Sequence, residues 1–222
     1  KIEFLKTLGN NKDYLNYFES QNPGFYTTVL AFVTNLFPNF MVYEIRHLIN
    51  FLVSTLTLLG TYLLVRETFD ERVALLTVLV ILLNPFFFGF MSITVRDMTV
   101  CFAYIWTTYF FFKYIKNFFN RRLKYSILLG LAIGFGMGSR ITYIVNLFPL
   151  FLIMIFFLSH NRKKFLTFGE LKKISLDISV VIILSFSLLF MFWVVAYASP
   201  FQTFLNTVMG VFNLSGPEIK GF

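Results

Sequence analysis

The chain alternates between long apolar runs and short polar segments. Residues 48–65, 73–95 and 141–159 carry no charged side chain, and a further apolar run begins at Ile178. Because a helix needs roughly 20 apolar residues to cross the hydrocarbon core of a bilayer, these runs predict membrane-spanning helices. We predict spans at residues 41–65, 73–92, 97–115, 124–138, 141–158 and 175–197. The predicted fold is an all-α, polytopic helical bundle embedded in a membrane.

The segments outside these spans complete the predicted organisation. Residues 1–40 form a loop before the bundle of residues 41–197, and residues 198–222 begin a second loop. The apolar stretch from Phe25 to Phe37 is too short to cross a bilayer, which favours a helix lying in the interface. The alternative is that this stretch forms the N-terminal part of the first span. Because the chain begins at Lys1 rather than Met, we expect it to be a fragment of a longer protein.

Two local patterns predict features inside the bundle. Asn84-Pro85 falls within the second predicted span, where proline either bends a helix or ends it early. Gly130, Gly134 and Gly138 recur every four residues, which places them on one face of the fourth span. A face without side chains lets a neighbouring helix approach closely, so we predict helix packing there.

The distribution of basic residues predicts the orientation of the bundle. Three connecting segments on one side hold 12 of the 19 Lys and Arg residues, namely Arg66, Arg72, Lys113, Lys116, Arg121, Arg122, Lys124, Arg162, Lys163, Lys164, Lys172 and Lys173. Loops rich in Lys and Arg face the cytoplasm. The loop 1–40, the turns at Arg96-Asp97 and Ser139-Arg140, and the segment from residue 198 are therefore predicted to be exoplasmic.

The composition excludes several classes of protein. The chain is 57% hydrophobic and only 14% charged, which rules out a disordered chain and an ordinary soluble domain. The net charge is +8, and the basic residues are concentrated in alternate loops. This distribution indicates membrane topology and no nucleic-acid partner. Cys101 is the one cysteine, and no cluster of His, Cys and acidic residues has the spacing of a metal site.

Four charged residues at the exoplasmic ends of the spans are candidate site residues: Arg46, Arg96, Asp97 and Arg140. Asp97 is a candidate catalytic acid, the alternative being a carboxylate that stabilises a helix N-terminus. Arg140 stands at the tip of a tight helical hairpin, where its planar guanidinium suits a phosphate. The alternative for Arg46, Arg96 and Arg140 is that they anchor the protein at lipid headgroups.

Four short patterns occur in a characteristic order along the chain. They are Tyr17-Phe18-Glu19 with Asn22-Pro23-Gly24-Phe25-Tyr26, then Tyr43-Glu44-Ile45-Arg46, then Asn84-Pro85 with Arg96-Asp97-Met98, and finally Gly130-Leu131-Ala132-Ile133-Gly134 with Ser139-Arg140. In this order the chain resembles the C-type glycosyltransferase superfamily, and within it family 39, the protein O-mannosyltransferases and aminoarabinose transferases. The chain departs from the pattern at Asn22 and Gly24, which replace a histidine and a second proline.

The resemblance implies an enzyme that moves a sugar from a polyprenyl-phosphate carrier to a protein, lipid or glycan acceptor on the exoplasmic side. It implies a catalytic function for Asp97 and substrate binding by Asn22, Tyr26, Arg46, Arg96 and Arg140. The main catalytic acid of the family is expected upstream of Lys1, and a divalent metal is a possible cofactor. The implied location is a bacterial inner membrane, or the endoplasmic reticulum membrane in a eukaryote.

Two other classes of protein fit a membrane bundle with ionisable residues. A transporter or flippase places such residues in a cavity, and it predicts broken helices in paired halves. A non-catalytic membrane subunit would use Asp97 and Arg140 only as anchors.

Overall fold

The computed structural model describes residues 24–38, 41–93, 95–118, 122–160, 168–191, 193 and 200–212. The described part of the chain contains ten helices and no strand. They are α1 (Phe25–Thr34), α2 (Val42–Thr68), α3 (Glu71–Leu83), α4 (Pro85–Ile93), α5 (Val95–Lys116), α6 (Arg122–Ser139), α7 (Tyr143–Asn146), α8 (Phe148–His160), α9 (Phe168–Met191) and α10 (Pro200–Phe212). The all-α prediction is confirmed.

The helices are long and apolar enough for a membrane protein. Within the described part of the chain, three segments qualify as spans by length and composition: Val42–Thr68, Tyr143–His160 and Lys172–Met191. Large apolar side chains such as Phe151, Phe156 and Ile183 point outward, each more than 60% exposed, as lipid-facing residues do. The protein is therefore an integral membrane protein. The predicted spans at 97–115 and 124–138 correspond to α5 and α6, whose crossing of the membrane stays a prediction.

The predicted break at Asn84-Pro85 is confirmed as a bend of 72° between α3 and α4. The amide oxygen of Asn84 accepts a hydrogen bond from the backbone N–H of Phe86 at 3.0 Å and so caps the second segment. At the other end of α4, the hydroxyl of Ser54 on α2 donates to the carbonyl of Met91 at 3.1 Å. Among the described residues α3 and α4 are the one bent pair of apolar helices.

The glycine face of α6 packs closely against other helices, as predicted, and the helix that it meets at Gly130 and Gly134 is α9. A Cβ added at Gly134 would lie 3.0 Å from the Cα of Ser185, so the two backbones are close enough to exclude a side chain. The hydroxyl of Ser185 donates to the carbonyl of Gly130 at 3.0 Å across the same contact. Both atoms are buried, which makes this hydrogen bond a fixed point between the two helices.

The stretch predicted to lie in the interface forms α1, a helix separate from the first span. It buries Tyr26, Leu30 and Thr34 against the bundle, and the ring of Phe25 meets that of Phe135 at 5.0 Å in an edge-to-face contact. The choice between an interfacial helix and an N-terminal part of the first span stays open. The depth of α1 relative to the membrane stays a prediction.

Ion pairs join the helix ends that carry the basic residues. Glu67 on α2 binds Lys113 and Lys116 on α5, with a separation of 2.9 Å to the Lys116 ammonium. At the same end of α5, the buried carboxylate of Asp177 forms an ion pair with Arg122, whose Nε lies 3.1 Å from Oδ2. The N-terminus of α5 and the C-terminus of α6 meet at the opposite end of the bundle, where the candidate site residues lie.

Candidate functional site

Arg140 and Asp97 form an ion pair at the end of the bundle away from the basic segments. An Nη1 nitrogen of Arg140 lies 2.8 Å from Oδ1 of Asp97. Asp97 sits in the first turn of α5 and Arg140 directly follows α6, so each helix dipole stabilises the charge next to it. The side chains are 47% and 61% exposed, and such exposed pairs contribute about 0–1 kcal/mol to stability. The pair is therefore open to a ligand and nearly dispensable for folding.

A tight turn fixes the position of Arg140. The Arg140 N–H donates to the carbonyl of Gly136, and the Arg140 carbonyl accepts from the N–H of Tyr143, both at 3.0 Å. Tyr143 is fully buried, and its hydroxyl donates to Oγ1 of Thr107 on α5 at 2.7 Å. The Tyr143 ring occupies the space that a side chain at residue 136 would need, because a Cβ there would lie 2.6 Å from it. Gly136 and Tyr143 together hold the arginine at the hairpin tip.

A buried hydrogen-bond network is centred on Tyr26 and Asn50. The Tyr26 hydroxyl donates to Oδ1 of Asn50 at 2.7 Å, and Nδ2 of Asn50 donates to the Ser92 carbonyl at 3.2 Å. Tyr26 also bonds the side chain of Thr99, two residues after Asp97, and burial raises the pKa of Tyr26 to about 12. The network links α1, α2, α4 and α5, and it reaches α5 at Thr99, at the same end of the helix as Asp97.

His47 belongs to the same network through the Ser92 carbonyl. Its Nδ1 lies 2.7 Å from that oxygen, and since a carbonyl only accepts, Nδ1 carries the proton. The tautomer leaves Nε2 without a proton when the ring is neutral.

The structure places the remaining predicted site residues as follows. Tyr26 is only 4% exposed, so its hydroxyl serves the network and contact with a substrate stays a prediction. Arg46 is exposed one turn before Asn50 on the same face of α2, and it forms no ion pair with another described residue. Asn22 lies outside the described residues, three positions before Phe25, as does the side chain of Arg96.

The described residues offer no group of three or more His, Cys, Asp or Glu side chains that could hold a metal ion. Sequence reasoning missed two polar residues that the structure shows to be central, Asn50 and Asp177. Both lie in apolar helices and both are 3% exposed. A polar side chain within a predicted span was the signal that could have identified them, because such a group must find a partner inside the bundle.

A known protein family matches most of the chain. The family model for dolichyl-phosphate-mannose-protein mannosyltransferases matches residues 21–193, which is more than three quarters of the chain. The chain therefore belongs to this family of membrane glycosyltransferases, within the C-type superfamily. The matched range includes Tyr26, Asp97 and Arg140. No curated protein and no solved structure matches the chain.

Proposed function

We propose that the protein transfers a sugar from a polyprenyl-phosphate-linked donor to an acceptor on the exoplasmic side of its membrane. The ion pair between Arg140 and Asp97 carries this proposal. It presents the guanidinium of Arg140 as an exposed, preorganised cation at the end of the bundle away from the basic segments. The positive-inside rule assigns that end to the exoplasm. The family supports a lipid-linked donor and a protein acceptor.

In the proposed reaction Arg140 binds the phosphate of the donor. A guanidinium has five N–H donors in a planar fork, so it can hold phosphate oxygens while Nη1 remains bound to Asp97. During transfer an acceptor oxygen forms a bond to the sugar carbon, and the bond from that carbon to the phosphate oxygen breaks. The polyprenyl phosphate leaves with the electron pair. A fixed cation stabilises this leaving group as its charge develops.

Asp97 positions Arg140 in this proposal. Its ion pair orients the guanidinium at the N-terminus of α5 before a donor arrives, so the enzyme need not reorganise the site during transfer. The acceptor loses a proton in the same reaction, and a carboxylate takes it as general base. The notion that Asp97 is itself this base stays a prediction, as do the contacts of Asn22, Tyr26, Arg46 and Arg96 with substrate.

The proposal is tested by transfer assays on protein reconstituted in liposomes with polyprenyl-phosphate mannose and a hydroxyl-bearing peptide. We expect Arg140→Ala to lower kcat/KM by about 10²–10³-fold, since a preorganised charge at the leaving group is lost. Asp97→Asn should lower it about 10–100-fold through misplacement of Arg140. Lys113→Ala, which breaks an ion pair at the opposite end of α5, is the matched control and should stay within about twofold.

Wild-type transfer in both Arg140→Ala and Asp97→Asn would refute the site, and the two residues would then be anchors. The proposed side of the membrane has a separate test. In a Cys101→Ser background, a membrane-impermeant maleimide should label Arg140→Cys from the exoplasmic side and Lys116→Cys only after the membrane is permeabilised. The reverse pattern would overturn the orientation.

A further inference from the structure

Helix α10 packs one of its faces onto the end of the bundle where Arg140 lies. Phe204 and Val208 are four residues apart, so they share a face of the helix, and both pack against a buried apolar cluster. That cluster includes Tyr143, the residue that holds the turn at Arg140, and Trp193, which follows α9. Its own contacts therefore fix α10 at the end of the bundle that is predicted to be exoplasmic.

The contact of α10 with α9 lies within the membrane-spanning part of α9. The ring of Phe204 meets that of Phe186 at 5.5 Å in an edge-to-face contact. The span Lys172–Met191 ends five residues after Phe186, which is about 7.5 Å further along the helix axis. Because Phe204 reaches α9 below the end of this span, α10 lies at the edge of the hydrocarbon core and not above it in water.

A second face of α10 is apolar and exposed. Phe201, Leu205 and Met209 follow one another at intervals of four residues and so form a stripe along the helix. Their side chains are 73%, 36% and 59% exposed. At 3.6 residues per turn, this stripe lies about a quarter of a turn around the helix from Phe204 and Val208.

The remaining face of α10 is polar and carries no charge. Gln202 is exposed on the side of the stripe away from Phe204, and the helix contains no acidic or basic residue. Its 13 residues give about 20 Å of helix, which is too short to cross a bilayer core. A short helix with an apolar face and a polar face is typical of a helix that lies in a membrane interface.

We propose that α10 lies in the plane of the exoplasmic membrane interface, with the stripe of Phe201, Leu205 and Met209 against the acyl chains of the lipids. The stripe lies next to the lipid-facing surface of α9, on which Ile183 and Met191 are exposed. Contact with α9 below the end of its span agrees with the depth of about 5–10 Å to which interfacial helices sink. This inference does not depend on the proposed transfer activity.

The test uses electron paramagnetic resonance of single spin labels on the protein in phosphatidylcholine liposomes, in a Cys101→Ser background. Phe201→Cys and Met209→Cys carry the label on the stripe. Gln202→Cys is the matched control on the polar face, and Ile183→Cys is a lipid-facing reference within the span. Collisions with oxygen, which concentrates in acyl chains, and with a water-soluble nickel chelate report the depth of each label.

We expect the labels at Phe201 and Met209 to be accessible to oxygen and shielded from the chelate. Both should lie at similar depths of about 5–10 Å in the interface. The label at Ile183 should lie deeper, and the label at Gln202 should be accessible to the chelate.

Three results would overturn the proposal. Depths that differ by about 12 Å between Phe201 and Met209 would mean that α10 stands upright along α9. Chelate access equal to that at Gln202 would mean that the stripe faces water. Labels shielded from both reagents would mean that protein, either a partner or a second copy of this chain, covers the stripe.

Discussion

Gly136→Ala should destabilise the protein by moving the turn that holds Arg140. The new Cβ would lie 2.6 Å from the Tyr143 ring, whereas ordinary contacts are 3.4–4 Å, so the ring must retreat by about 0.8 Å. Tyr143 is fully buried and bonded to Thr107, which prevents a small rotation from relieving the clash. The Tyr143 N–H is also bonded to the Arg140 carbonyl, so displacement of Tyr143 reaches the guanidinium.

The magnitude follows from three contributions. Overpacking costs about 1–3 kcal/mol, and loss of the buried Tyr143–Thr107 hydrogen bond costs about 0.5–1.5 kcal/mol. Replacing glycine by alanine inside a helix returns about 1 kcal/mol. The net loss is about 0.5–3.5 kcal/mol, which for a chain of this size corresponds to a fall in Tm of about 1–14 °C.

The assay is thermal unfolding of the purified protein in detergent, combined with the transfer assay. Gly89→Ala is the matched control, because no atom lies within 4 Å of a Cβ added at that helical glycine. Gly89→Ala should keep or slightly raise Tm, whereas Gly136→Ala should lower both Tm and, at a temperature where it is folded, transfer by about tenfold or more. Equal Tm values for the two variants would refute the argument that Tyr143 clamps the turn.

Two further predictions concern single hydrogen bonds. Ser185→Ala should lower the free energy of unfolding by about 1 kcal/mol, because its hydrogen bond to the Gly130 carbonyl is lost. The control is Ser187→Ala, at an exposed position two residues later on α9, which should be neutral. Equal effects of the two variants in thermal unfolding would contradict the assigned contact. The pKa of Tyr26 is raised from 10.0 to about 12, so its contribution to stability is complete below pH 10 and is lost as the pH rises towards 12. Tyr26→Phe should therefore show a smaller fall in Tm between pH 9 and pH 11 than the wild type, and identical falls would exclude this explanation.

The helices and the bend follow from the sequence because each depends on local composition or on a local break in backbone hydrogen bonding. The apolar runs predict α2 and α8, and Asn84-Pro85 predicts the bend between α3 and α4. The small residues at 130 and 134 likewise predict a close helix contact, although its partner α9 depends on tertiary packing. The alternation of the predicted spans correctly places Asp97 and Arg140 at the same end of the bundle.

The contacts within the site could not be predicted in the same way. That Asp97 binds Arg140, 43 positions away, depends on how closely the ends of α5 and α6 approach. The motif predicts that Tyr26 contacts substrate, which stays a prediction, but it does not indicate that the buried Tyr26 hydroxyl donates to Asn50. Asn50 itself is uncharged and lies within an apolar run, so a search for charges passes over it. Asn50 is important because a buried polar side chain must form hydrogen bonds inside the protein.

The hydrogen bonds at the end of α4 have a consequence for the order in which the protein assembles. The last carbonyls of a helix need partners, and here Ser54, His47 and Asn50 of α2 bond those of Met91 and Ser92. Because α2 precedes α4 along the chain, its donors leave the ribosome first and are in place when α4 emerges. The bent segment therefore finds its capping groups on a helix already synthesised, and a chain with α2 deleted would present α4 to the membrane with those carbonyls unpaired.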